Sequence, residues 1–108
     1  MSYRYMRLIL MFDLPMETAK EKRIYRQFHK QLIKEGFYMF QFSIYIKLAI
    51  NRTVSQQIRA RIKKIKPEAG RVSILEITER QFSEIEFICG SNHTNILNTT
   101  DRVTIFED

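Results

Sequence analysis

With 108 residues, 44% of them hydrophobic, the chain has the size of one domain and can bury a single core. Its longest uncharged apolar run, residues 8–12, is far shorter than the roughly 18 residues of a membrane span, and Asp13 closes it, so the reading is a cytoplasmic protein with no membrane partner. A net charge of +6 favours an anionic partner, and one cysteine, Cys89, excludes an internal disulfide and a cysteine-built zinc site.

Residues 5–13 read as a strand, because Leu8, Ile9, Leu10, Met11 and Phe12 are apolar without helical spacing, and such a strand needs cover on both faces. After the Leu14-Pro15 turn, Thr18 with Glu21 has capping-box spacing and opens a helix that runs to about Glu35, with Gly36 as its stop. Ile24, Tyr25, Phe28, Leu32 and Ile33 form its apolar stripe. Residues 37–48 are β-rich and long for one strand, so two strands broken near 41–43 are expected, with Tyr38, Phe40 and Phe42 on one pleat face. A second helix fits residues 53–66, where Val54, Ile58, Ile62 and Ile65 recur at helical spacing before Pro67 and Gly70. Residues 71–78 alternate as a strand, and a short helical turn precedes 86–89, where Cys89 is expected as a small core residue on a strand. A polar stretch at 90–101 leads to a last strand at 103–106.

This order is the split βαβ, or ferredoxin-like, α+β plan, carried as a single domain over residues 1–108 with an extra C-terminal strand. In that plan both helices cover one face of the sheet and leave the other bare. A symmetric homodimer stacked sheet to sheet is the simplest cover, and the long polar connection at 91–108 would let the terminal strand add to the partner protomer's sheet.

Residues 1–71 hold 16 of the 18 Lys and Arg against five acids, so cationic charge is concentrated in the two helices while the end of the chain is acidic. The candidate phosphate contacts are Lys20, Lys22, Arg23, Arg26 and Lys30 on the first helix and Arg59, Lys63 and Lys64 on the second, in a mode that leaves sequence unread. Asp13 stands alone at the carboxyl end of the first strand. Two copies meeting near a two-fold axis could hold Mg²⁺ between paired carboxylates and water; equally, Asp13 could simply cap the turn before Pro15. No Ser-His-Asp or Cys-His arrangement is visible, and His29 and His93 read as surface residues. The segment EGFYMFQF at 35–42 matches the aromatic RNA-recognition signature poorly, since Glu35 stands where that signature opens with a basic residue.

Taken together, LILMFD at 8–13, the basic first helix, Gly36-Phe37 and QFSIY at 41–45 resemble the CRISPR-associated protein 2 family, and MSYRYM at 1–6 with MFDLP at 11–15 is most similar to members from type II-A systems. The resemblance implies a ferredoxin-like homodimer in spacer acquisition. Such a dimer sits between two dimers of the integrase, CRISPR-associated protein 1, and spans the middle of a double-stranded protospacer. Integration chemistry then belongs to the integrase. Some members are described as metal-dependent endonucleases, which would make Asp13 a Mg²⁺ ligand and catalytic residue here. Phe12 departs from the Tyr of many members, and Lys20 and Lys22 fall where nuclease members carry arginines. The loop holding His93 corresponds to one that contacts DNA in some members. A dimeric regulatory or RNA-binding domain is the remaining alternative.

Overall fold

The computed structural model describes residues 5–90, so the strand expected at 103–106 and His93 lie outside the described residues. Seven elements follow in order: β1 (Met6–Asp13), α1 (Ala19–Lys34), β2 (Tyr38–Gln41), β3 (Ile44–Ala49), α2 (Arg52–Ile65), β4 (Arg71–Thr78) and α3 (Glu79–Ser83). The strands lie in the order β2-β3-β1-β4, every pair antiparallel, which is the ferredoxin-like arrangement.

Local chemistry sets the element ends. Thr18 Oγ1 accepts from the Glu21 amide while the Glu21 carboxylate accepts from the Thr18 amide, so the expected capping box opens α1. At the other end Gly36, at φ +97°, donates to the Ile33 carbonyl and Phe37 to that of Leu32, a Schellman stop that folds the buried Phe37 back onto the core. Asn51 caps α2 through its side chain on the Val54 amide, and α2 ends where Lys66 turns extended before Pro67.

The period-two pleat divides β1 between two environments. Leu8, Leu10 and Phe12 are buried against Tyr25, Phe28 and Leu32 of α1 and Ile58 and Ile62 of α2, each such side chain contributing about 1.5–3 kcal/mol. Phe12 packs at 5.2–5.5 Å between ring centroids on Tyr25, Phe28 and Tyr45, so it belongs to the core. Ile33, expected in the apolar stripe, is instead half exposed; the stripe is narrower than its sequence spacing implied. The half-buried His29 was expected at the surface. It pairs through Nδ1 with the hydroxyl of Tyr45, which burial, and then neighbouring Tyr25, push above the ordinary tyrosine range.

Ile9, Met11, Leu75 and Ile46 lie on the opposite face, which the sequence reading left bare in a single chain. That expectation is corrected in part. After β4 the chain doubles back across this face as α3, held by Arg7: its Nε pairs with Glu79, its Nη1 donates to the Tyr38 hydroxyl at 3.1 Å, and its guanidinium lies 4.5 Å over the Phe82 ring. Phe82 and Phe87 then pack on Phe40, and Ile46 is fully buried beneath them. Cys89 at the end of this strap is exposed and on no strand, contrary to expectation, because residues 86–89 cross the face without joining the sheet. A groove of about 450 Å³ runs between strap and sheet, and Met11, Leu75 and Ile88 remain exposed beside it.

A second correction concerns the three aromatic residues placed on one pleat face. Tyr38 and Phe40 do face the strap, whereas Phe42 stacks on Tyr25 on the helix side, ring centroids 5.7 Å apart. The register shift between Met39 and Gln41, followed by Ser43 at φ +68°, inverts the phase of the hairpin.

Gly70 fixes the approach to β4. It has φ +89°, and a Cβ there would stand 2.5 Å from the Asp13 carbonyl oxygen and 2.7 Å from the Leu14 side chain. Gly70→Ala should therefore lower unfolding free energy by about 1–3 kcal/mol in urea titrations, with the larger loss set by the backbone contact.

Candidate nucleic-acid interface

The topology collects charge at one end of the sheet. β1 delivers the chain there at Asp13, α1 departs from it, α2 returns to it with Lys63, Lys64 and Lys66, and β4 leaves from Arg71. A hollow lined by Leu14, Lys20, Ile24, Glu68 and Ala69 shows the start of α1 and the α2–β4 turn to be neighbours. Lys20, Lys22, Arg23, Arg26, Lys30, Lys63 and Lys64 are all exposed, and among the described residues none of them is held in a hydrogen bond or ion pair. They are thus free to meet an anion.

Arg59, expected among the phosphate contacts, is committed elsewhere. Its Nη2 pairs with Glu76 Oε1 and its Nε donates to Ser55 Oγ at 3.3 Å, while Ser55 Oγ donates to Glu76 Oε1 at 2.7 Å. The cause is positional: Glu76 sits opposite Leu8 on the helix-covered face of β4, where an unpaired carboxylate would be costly. The Ser55 hydrogen bond, then the hydrogen bond and charge of Arg59, hold Glu76 below the ordinary carboxylate range against an opposing desolvation. Arg61 is engaged as well, donating at 2.7 Å to Glu35 beyond the end of α1, so two α2 cations tie the fold together.

Asp13 is exposed at the end of β1 and takes part in no hydrogen bond or ion pair among the described residues, so its side chain is not the turn cap of the alternative reading. By register it pairs with Arg71 across β4, on the strap-bearing face. Sequence reasoning counted Arg71 among the cations but did not select it; only the strand pairing reveals the neighbour. Ser43 of the hairpin also reaches this end, accepting a hydrogen bond from the Phe12 amide at 3.1 Å. Among the described residues no three His, Cys, Asp or Glu side chains converge as a metal-binding group, so Asp13 would meet a divalent cation without a second and third protein ligand of those types beside it in the same chain. The same donor doubled across a two-fold axis, with water, would suit the all-oxygen octahedral preference of Mg²⁺. No described helix is long and apolar enough to cross a membrane.

The family model described as CRISPR associated protein Cas2 matches residues 6–85, which span β1 to the end of α3 and the start of the strap. The chain belongs to the CRISPR associated protein Cas2 family. Among its relatives, proteins named CRISPR-associated endoribonuclease Cas2 from Streptococcus mutans and Treponema denticola are each 43% identical to it. The matches run over 98 residues (91% of this chain, 90% of the relative) and 100 residues (93% and 99%) respectively. One from Ligilactobacillus salivarius is 38% identical over 100 residues, again 93% and 99%. The resemblance drawn from the sequence is therefore upheld, and the role is a CRISPR-associated one.

The two kinds of arginine separate experimentally. Arg59→Ala should lower stability by about 1–2 kcal/mol while leaving the salt dependence of any polyanion binding unchanged, since that guanidinium is already paired. Glu76 also sets an acid limit. Its folded carboxyl titrates below its ordinary 4.5, so its contribution is present above that pH and is lost as pH falls through the lower folded value; Glu76→Gln should flatten this part of the stability profile.

Proposed function

We propose that this Cas2 chain acts in spacer acquisition as a homodimer that bridges two dimers of the integrase, CRISPR-associated protein 1, and holds the double-stranded protospacer by its phosphates. The observation that carries this reading is the set of unpaired cations at the start of α1 and the end of α2, set apart from the paired Arg59 and Arg61. Free cations on rigid helices suit a regular polyanion, and no base-reading geometry is needed. Stacking the strap-bearing faces of two protomers would cover Met11, Leu75 and Ile88 and would set two such rows in one continuous cradle. On this reading the cytoplasmic dimer measures and orients the duplex, and strand transfer is performed by the integrase. The single domain of residues 1–108 would then use its C-terminal part, His93 included, for partner or backbone contact.

A second reading is supported by the relatives' name, endoribonuclease, and by the free carboxylate of Asp13. Two copies of Asp13 would hold Mg²⁺, which supplies a polarised water and charge neutralisation at the phosphate. Hydrolysis forms a bond from the water oxygen to phosphorus as the bond to the leaving sugar oxygen breaks; that oxygen gains a proton and the water loses one to solvent. Asp13 would orient the attacking water, and the free cations near it would hold the flanking phosphates.

Integration by the reconstituted complex distinguishes the two readings. Asp13→Ala should leave integration intact under the scaffold reading, whereas loss of integration with the complex still assembled would sink it. Duplex affinity should fall about a thousandfold over a roughly fourfold rise in salt if about six phosphates are contacted, and charge reversal at Lys22 and Arg26 should weaken binding and flatten that slope. For the dimer, Leu75→Glu places a charge on an exposed apolar position and should shift sedimentation toward a folded monomer; an unchanged dimer would move the interface off this face.

A further inference from the structure

We propose that Arg71 is a phosphate-binding residue that works beside Asp13, taking the non-bridging oxygens of a phosphodiester on the strap-bearing face of the sheet. The placement comes from strand pairing. β1 and β4 pair without a break from Met6↔Thr78 to Asp13↔Arg71, so Arg71 and Asp13 are direct cross-strand neighbours whose side chains leave the sheet on the same side. Cβ atoms in such a pair stand about 5 Å apart.

Three observations turn this proximity into a site. Both side chains are exposed, and among the described residues neither takes part in a hydrogen bond or ion pair, so the five N–H donors of the guanidinium are unspent. Other arginines show what commitment looks like: Arg7 is clamped to Glu79 and Phe82, Arg59 to Glu76 and Arg61 to Glu35. The position is also held rigidly. Gly70, immediately before Arg71, lies so close to the Asp13 carbonyl that a Cβ would collide with it, which locks the start of β4 against the end of β1.

The two side chains differ in reach, and the difference suits a phosphate. A carboxylate one carbon from Cβ stays close to the sheet, while the arginine stem carries its planar fork farther out. A phosphodiester can then present two oxygens to the fork and still stand above Asp13, where a bound cation or water would meet it. In the scaffold reading, where the strap-bearing faces are stacked, Arg71 lies at the end of the sheet where β4 begins and adds one duplex contact per protomer from the rim of that interface. In the Asp13 reading it also stabilises the charge that grows on those oxygens as the bond to phosphorus forms. The hydrolytic part rests on the Asp13 reading; the binding part does not.

The test uses the full chain and a short fluorescein-labelled RNA, with a duplex DNA of the same length run in parallel. Affinity is read by anisotropy across a salt series, in Ca²⁺ so that binding is measured apart from turnover. Arg71→Ala should weaken binding to at least one probe by about fivefold and reduce the salt slope by about one. Arg71→Lys should keep the slope and lose part of the affinity, because an ammonium lacks the fork. Circular dichroism melts of each variant check that the exposed substitutions leave the fold intact. Unchanged affinity and slope for Arg71→Ala on both probes would overturn the proposal. Cleavage of the RNA in Mg²⁺ is scored separately: if it is absent, or indifferent to Asp13→Ala, the nuclease reading fails, while the anisotropy result still decides Arg71.

Discussion

The alternation of side chains along β1 is the constraint on which the rest of the molecule depends, because this strand is paired on both edges and must serve two surfaces at once. Leu8, Leu10 and Phe12 accept the helix layer, so α1 and α2 have a surface on which to bury Phe28, Leu32, Ile58 and Ile62. The intervening Arg7, Ile9, Met11 and Asp13 present, in order, an anchor for α3, an apolar middle and a carboxylate at the tip. A central strand with any other period could not do both.

Charge is sorted by the same geometry. Cations whose stems face an acid on a neighbouring element become part of the frame, as Arg59 does with Glu76 and Arg61 with Glu35. Those at the start of α1 and the end of α2 face no such partner and keep their donors for the outside. The second group would be the better placed to meet a polyanion, since a guanidinium already neutralised by a carboxylate has little left to offer a phosphate. Net charge alone therefore overstates the charge left open to an outside partner, and the distinction between the two groups is what makes that charge local.

Much of the fold was legible in the sequence because local signals agreed with tertiary demand. The capping box at Thr18 and Glu21, the stop at Gly36 and the alternation of residues 71–78 each named an element that formed as read. What escaped the sequence depends on pairs distant along the chain. The commitment of Arg59 needed Glu76 placed beneath α2, and the cover of the second face needed Arg7 to meet residues 79–82, more than seventy positions away. The phase inversion at Phe42 came from a bulge with no distinctive residue type, and Cys89 was misplaced because an apolar segment can cross a sheet as well as join it. At the candidate site the carboxylate was readable from its position at a strand end, whereas its arginine neighbour was a product of register.

The unbroken pairing of β1 with β4 bears on how chains of this type can vary. Inserting or deleting one residue within β4 would put the strand on its two sides out of phase, so that either Arg71 turned toward the helices or Glu76 turned away from Ser55 and Arg59. The β2–β3 tip already tolerates an irregular register. A change of length in the hairpin or a loop thus leaves these paired faces in place, whereas the fourth strand accepts substitution more readily than insertion.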